Sequence, residues 1–342
     1  MIIENLKLSG FRNLSFYELV FDKNRNLIHG VNGAGKTTIL EAIFLLAFGK
    51  SFLNRNKADM VNTRAEEFNI RLTCVNSFGK NRVSARYHKG FSLSLNEKKT
   101  NIFGVNRCLY PVFFSSSDYH LYIENVPYTR KMIDRFIFGM DSLYIRCILE
   151  YNRALKQKNI LLKTTGNSSE LRSWNKVLSE LAEKLVGIKM KFIRDLNREI
   201  KNKFDRCLQV VYRPSFNLDN GISGGVFFEQ LQSRQAVELK AQRSLLGPQR
   251  DGYDMDLNSR PLKLYSSGEK KIHLLMIYIS FIELCRQVKG EYPVFLLDDF
   301  DTAIDGKNID FLMKSYPEMQ VIATSVSGSH KFDRLIELQK EN

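Results

Sequence analysis

Apolar and polar residues alternate over the first 28 positions, with Ile3, Leu6 and Leu8, then Leu19 and Phe21, on one face. The pattern predicts an antiparallel strand pair turned by Ser9-Gly10-Phe11-Arg12-Asn13. Asn26-Leu27-Ile28-His29 reads as a short buried strand, and Thr38–Leu46 carries apolar residues at helical spacing. Alternation returns over Phe68–Cys74, Arg82–His88 and Phe91–Asn96, which predicts a three-stranded meander. Val112-Phe113-Phe114 is a further buried strand. From Pro127 to Pro214 no proline occurs, and because proline is expelled from helix interiors this 86-residue interval predicts helices. Tyr144–Leu162 reads as one helix and Thr164–Ser169 as a turn. Trp174, Leu178, Leu181, Leu185, Ile188 and Phe192 then recur at heptad-like steps, extended by Leu196, Ile200 and Phe204. Residues 214–242 give mixed signals, with a flexible loop expected at Gly221–Gly225. Ile272–Leu284 predicts a long apolar helix, and Pro293–Leu297 and Gln320–Ala323 predict strands.

Between the strand at 26–29 and the helix after it lies Gly30-Val31-Asn32-Gly33-Ala34-Gly35-Lys36-Thr37, a full match to G-x-x-x-x-G-K-[ST]. A strand, a glycine-rich turn and a helix N-terminus make an anion cradle. Backbone N–H groups along Gly30, Asn32, Gly33, Ala34 and Gly35 turn toward phosphate oxygens, and the helix that Thr38 continues adds its dipole. Lys36 would reach the β- and γ-phosphates of ATP, and the Thr37 hydroxyl would ligate Mg²⁺. The strand at 293–297 ends in Asp298-Asp299. Asp298 would hold Mg²⁺ and Asp299 would polarise the attacking water, so Lys36 and Asp299 are the catalytic candidates.

Ser266-Ser267-Gly268-Glu269 precedes the long apolar helix and admits two readings. Ser266-x-x-Glu269 is a capping box. A helix N-terminus carrying Ser and Gly, 32 residues before the Asp pair, is also where ABC-type ATPases place their signature motif. That motif completes the nucleotide site of a second copy, which implies a two-fold dimer.

Net charge is +14, and residues 128–213 hold 19 Lys/Arg against 9 Asp/Glu. Such concentration points to a polyanionic partner, nucleic acid above all, although a surface-charged helix pair would also account for the lysines. The composition is that of a globular protein, with no uncharged apolar run of 18 residues and no basic leader before a cleavage site. Five scattered cysteines lack C-x-x-C spacing and fit core thiols in a reducing compartment, so a cytoplasmic location with no membrane association is expected.

Across essentially its whole length the chain resembles the RecF family of SMC-related recombination mediators. The matching stretches are Gly10–Asn13, Gly30–Thr37 with Leu40-Glu41-Ala42-Ile43, Gly49-Lys50-Ser51-Phe52, Phe113–Ser115 with Asp118, Arg130-Lys131 with Asp134, and Tyr151–Asn159. Gly247-Pro248-Gln249-Arg250-Asp251 is the most diagnostic, because generic ABC heads lack it; Ser266–Glu269, Leu297–Asp299 and Asp305 complete the set. The resemblance implies an ATP-dependent homodimer that binds duplex and gapped DNA, hydrolyses ATP slowly with DNA stimulation, and helps RecR/RecO-type mediators load a RecA-type recombinase. It places Ser266, Ser267, Gly268 and Glu269 at the opposite subunit's phosphate and Asp305 in a dimer-contacting loop. Thr324 takes the switch position after its strand. Arg12 and Asn13 fall near the base or ribose, or are plain turn residues. Departures are Thr38 for Asn, Ser116 for Pro, Gln249 for His, Gly252 for a second acid, Glu269 for Gln and Lys271 for Arg. Glu269 matters most, since a carboxylate beside a γ-phosphate is repelled unless it folds back onto its own helix.

The expected fold is therefore α/β: an ABC/SMC-like P-loop ATPase head with an antiparallel β subregion and an inserted helical lobe. Residues 1–118 with 243–342 are expected to form the head, and 119–242 the mainly helical lobe. A transporter cassette would be shorter between Lys36 and Ser266, which here lie 230 positions apart, and a chromosomal SMC protein would need long coiled-coil arms. A RecF-like ATPase repurposed for defence or regulation stays open.

Overall fold

The structure, a computed structural model, describes residues 1–53, 55–115, 119–164, 166–204, 207–217, 223–300, 315–328 and 332–340. It divides into two compact units, residues 1–119 with 282–342 and residues 120–281.

The first unit begins with β1 (Ile2–Phe11), β2 (Leu14–Val20) and β3 (Arg25–His29), followed by α1 (Lys36–Phe48). Next come β4 (Phe68–Asn76), β5 (Gly79–Tyr87), β6 (Phe91–Leu95), β7 (Lys98–Thr100), α2 (Ile102–Val105) and β8 (Val112–Ser115). The expected strand pair and the expected meander are one sheet, ordered β2-β1-β4-β5-β6-β7, because β1 also pairs antiparallel with β4. Its inner face is Leu6, Leu8, Ile70, Leu72, Val83, Ala85 and Leu93, all buried. Alternation therefore marks one wet face and one core face, as expected of antiparallel strands.

The second unit carries the end of α3 (Tyr119–Glu124), then α4 (Val126–Met140), α5 (Ser142–Lys163) and α6 (Ser168–Phe204). It continues with β9 (Leu208–Arg213), α7 (Gly224–Ser233), α8 (Gln235–Ala241), β10 (Gly252–Leu257) and β11 (Arg260–Pro261). The heptad-like seam lies on α6, where Leu178, Leu181, Leu185, Phe192, Leu196 and Ile200 are buried. Two expectations need correction. Leu208–Arg213 falls in the proline-free interval but is a strand, because it finds a partner in β10 some 40 residues on. The loop expected through Gly225 gives way at Gly224 to α7, whose cap is Ser223 accepting from the Gly225 N–H. The second unit runs to Phe281, where the sequence reading places a return to the head at 243, and the β9–β10 pairing holds Gly252–Leu257 within it.

The remaining elements are α9 (Ser267–Lys289), which runs across the division, and then β12 (Phe295–Asp298), β13 (Val321–Ser325) and β14 (Arg334–Glu337) of the first unit. These strands join β3 and β8 in a parallel sheet ordered β14-β3-β13-β12-β8. Helix α1 is apolar all round, with Ile39, Leu40, Ile43, Leu45 and Leu46 fully buried, because it packs against strands of both sheets. The P-loop thus sits at the carboxyl end of β3, on the buried helix at the centre of the unit. Cys74, Cys108, Cys147 and Cys285 are buried free thiols and Cys207 is exposed. Among the described residues no helix is long and apolar enough to cross a membrane.

Within Gly247–Asp251, in the second unit, Gly247, Pro248 and Asp251 are buried and make a polar knot with their neighbours. Asp251 is fully buried and accepts from Lys189 Nζ at 3.1 Å, from the Ser215 N–H at 3.0 Å and from the Tyr212 hydroxyl. Lys189, also fully buried, lies 3.5 Å from Asp134. Gln249 accepts from the Tyr151 hydroxyl at 2.6 Å, and a Cβ on Gly247 (φ 121°) would stand 2.1 Å from that hydroxyl. Burial pushes the Asp251 carboxyl above its usual range, and the ammonium and phenol only partly offset this. Lys189→Ala would leave that carboxylate unpaired in the core and is expected to cost about 3–5 kcal/mol. The denaturant midpoint measures it; an unchanged midpoint would mean water compensates the carboxylate.

Candidate functional site

Helix α1 starts directly on the glycine turn. Gly35 is its N-cap in the left-handed region (φ 100°, ψ 11°), and no side chain caps the first amides, which stay available for an anion. A Cβ on Gly35 would stand 2.6 Å from Leu14 Cδ2 and 3.1 Å from Asn13 Nδ2, so the turn is held against the β1–β2 hairpin. Asn13 Nδ2 donates to the Gly33 carbonyl at 3.1 Å, and Thr38 Oγ1 donates to Asn13 Oδ1 at 2.8 Å. Thr38 thereby orients Asn13, and Asn13 holds the loop. Lys36 Nζ folds over the loop and donates to the carbonyls of Gly30 at 2.7 Å and Val31 at 3.2 Å.

The two halves of the motif chemistry converge. Thr37 Oγ1 donates to Asp298 Oδ1 at 3.1 Å across 261 positions of chain. Thr324, on β13 beside β12, donates to the same oxygen at 2.7 Å, and the Asp299 N–H donates to Thr324 Oγ1 at 2.9 Å. Hard oxygen donors gathered this way, a carboxylate and a hydroxyl at the foot of an anion cradle, suit Mg²⁺. Asp299 itself sits at φ 50°, the left-handed region that bulky residues avoid and Asp tolerates.

These residues open on a cavity of about 760 Å³, lined by Arg12, Asn13, Asn32, Gly33, Gly35, Lys36, Thr37, Thr38 and Asp299. The rest of the lining includes Leu53, Arg55, Asp59, Val61, Asn62, Thr63 and Arg64, which were absent from the sequence-derived set. The nearest sequence signal was Gly49-Lys50-Ser51-Phe52, which carried the resemblance but no chemistry that assigned it to a nucleotide site.

Ser266–Glu269 belongs to the second unit, and all four residues are exposed. Here the capping box is formed: Glu269 Oε2 accepts from the Ser266 N–H at 3.1 Å and from Ser266 Oγ at 2.6 Å, and the Glu269 N–H points to Ser266 Oγ at 3.4 Å. The Ser266 hydroxyl and amide hold the Glu269 carboxyl below its usual range. The carboxylate thus folds back onto its own helix. Asp305 and Asp118 lie outside the described residues.

A model of the family described as RecF/RecN/SMC N terminal domain matches residues 2–341. The chain is 30% identical over 345 residues to the "DNA replication and repair protein RecF" of Acetivibrio thermocellus, covering 95% of this chain and 93% of that one. Its fold matches a solved structure of the recombination mediator protein RecF-ATPrS in the RecFOR pathway. The TM-score is 0.89 at 24% identity, over 99% of this chain and 96% of that one. An SMC head bound to the C-winged helix domain of ScpA matches with TM-score 0.55 at 16% identity, over 96% and 90% of the two chains. The α/β architecture is thus that of the ABC-type ATPase heads of RecF and SMC proteins.

Proposed function

The chain belongs to the RecF family of DNA replication and repair proteins, and from that premise we propose that it is a DNA-binding ATPase switched between monomer and dimer by ATP. The observation that carries the reading is the bond between Thr37 and Asp298, which joins the phosphate loop to the acidic strand end at one point. Solved relatives described as RecF-ATPrS and RecF-ATP support the choice of nucleotide.

In this reading Lys36 leaves the Gly30 and Val31 carbonyls for the β- and γ-phosphates, a charge-assisted exchange. Thr37 and Asp298 would hold Mg²⁺, which supplies charge neutralisation at the phosphates. Asp299 orients the attacking water and accepts its proton. Ser266 and Gly268 of a second copy close on the γ-phosphate, so association and nucleotide binding favour each other by linkage. The exposed basic residues of 128–213 contact DNA phosphates, giving affinity without base readout, while the buried Lys158 and Lys189 stay in the core. RecR/RecO-type mediators and a RecA-type recombinase are the partners, and a single-strand gap is the place of action.

Folding back lengthens the distance from Glu269 to a partner's phosphate but leaves its negative charge on the exposed helix N-terminus, so that charge tunes closure. Glu269→Gln keeps the capping hydrogen bonds and removes the remaining repulsion. At about 1 kcal/mol for one such charge pair in water, and two such pairs in a two-fold dimer, ATP-dependent association should tighten about thirtyfold. Sedimentation at a series of concentrations reads this, and unchanged association would place Glu269 away from the phosphate. The reading as a whole is tested by gel shift on duplex, gapped and single-stranded DNA with and without ATP. Sequence-tolerant binding is expected on duplex and gapped DNA only with ATP, weakening steeply with salt. Binding indifferent to ATP would overturn it.

A further inference from the structure

Glu41 has no place in the phosphate chemistry, yet it is fully buried on α1, the helix that begins at the phosphate loop. Its two carboxylate oxygens are both engaged: one forms an ion pair with Arg12 Nη1, and the other accepts from Ser51 Oγ. Ser51 Oγ accepts in turn from the Leu53 N–H at 2.9 Å. A buried carboxylate on a helix interior is costly, and it persists only where its partners repay the loss of water.

Those partners anchor the wall that the phosphate motif does not supply. At one end, Ser51 is tied to Glu41 while Phe52 stacks on Phe113 at 4.1 Å. At the other, the Arg12 N–H donates to Met60 O at 2.7 Å, and Asn62 Nδ2 donates to Arg12 O at 2.7 Å. Arg12 holds φ 55°, a strained setting of the kind found at ligand clamps. Glu41 therefore ties together Ser51, whose hydroxyl holds Leu53, and Arg12, whose backbone holds Met60 and Asn62. Leu53 and Val61 beside them are the aliphatic side chains of the cavity lining among the described residues. An apolar contact is what a purine face requires and what a bare polyphosphate cannot use.

We propose that Glu41 is a positioning residue that shapes the nucleoside-binding wall of the cavity through Arg12 and Ser51, leaving the phosphate cradle to the glycine loop. The inference rests on the reading of this cavity as an ATP site. It is tested on the full chain by calorimetric titration with ATP and with inorganic tripolyphosphate. The wild-type chain should prefer ATP. Glu41→Gln keeps the shape and removes the charge that orients Arg12, so ATP should bind about tenfold more weakly, one lost oriented contact, with tripolyphosphate unchanged. Ser51→Ala, which leaves the Arg12–Glu41 pair intact, should shift ATP the same way by a smaller factor and serves if Glu41→Gln does not fold. Equal weakening of both ligands, or of neither, in a folded variant would overturn the proposal. A wild-type chain that binds tripolyphosphate and ATP alike would also overturn it. One that binds neither would instead remove the ATP reading beneath it.

Discussion

Lys36→Ala should bring ATP binding down by at least about a hundredfold. The ammonium would make charge-assisted hydrogen bonds to the phosphates, each worth roughly 1.5–3 kcal/mol, and 1.4 kcal/mol is a factor of ten. The fold should tolerate the change. Lys36 Nζ donates to the Gly30 and Val31 carbonyls beside the cavity, where water can take its place. Calorimetric titration on a chain with an unchanged melting temperature measures the effect. ATP-dependent dimerisation and DNA retention should disappear with it, because both are linked to nucleotide. Normal ATP affinity in this variant would mean that the glycine loop is a fold element and that the nucleotide sits elsewhere.

The second large effect is at Asp299. Its backbone N–H, not its side chain, bonds Thr324, so Asp299→Asn leaves that contact in place. Asn also tolerates the left-handed φ of 50° that the position demands. What it cannot do is accept a proton, and loss of a positioned base costs about 10²–10⁴ in rate. Single-turnover hydrolysis should fall by that range while ATP binding is kept, and sedimentation should show a closed dimer that no longer resolves. Normal turnover by Asp299→Asn would remove this residue from the chemistry and return attention to Asp298. The two variants fail in opposite ways, one unable to close and the other unable to reopen.

Much of this was legible in residue order because the phosphate site is local. Gly30–Thr37 needs eight consecutive residues between a strand and a helix, and each of those signals is short-ranged. The alternating inner face of β1, β4, β5 and β6 was equally readable, as was the seam on α6. Glu269 shows the intermediate case. The Ser266-x-x-Glu269 spacing announced a capping box, and the structure forms it with the exposed carboxylate turned back onto Ser266. The sequence could not weigh that geometry against a role at a neighbouring phosphate, because both use the same four residues.

Local pattern by itself determined the strand–loop–helix cradle, the acidic strand end and the basic helical stretch, since backbone sterics and hydrophobic period act within a few residues. Tertiary structure alone decided what meets across long separations. It put Asp298 against Thr37, built a strand from Leu208–Arg213 by supplying β10, and buried Lys189 on Asp251. It also tied Glu41 to both Arg12 and Ser51. In each case the decisive energy is the pairing of buried polar groups, which carries no periodicity along the chain and is settled only when the core closes around them.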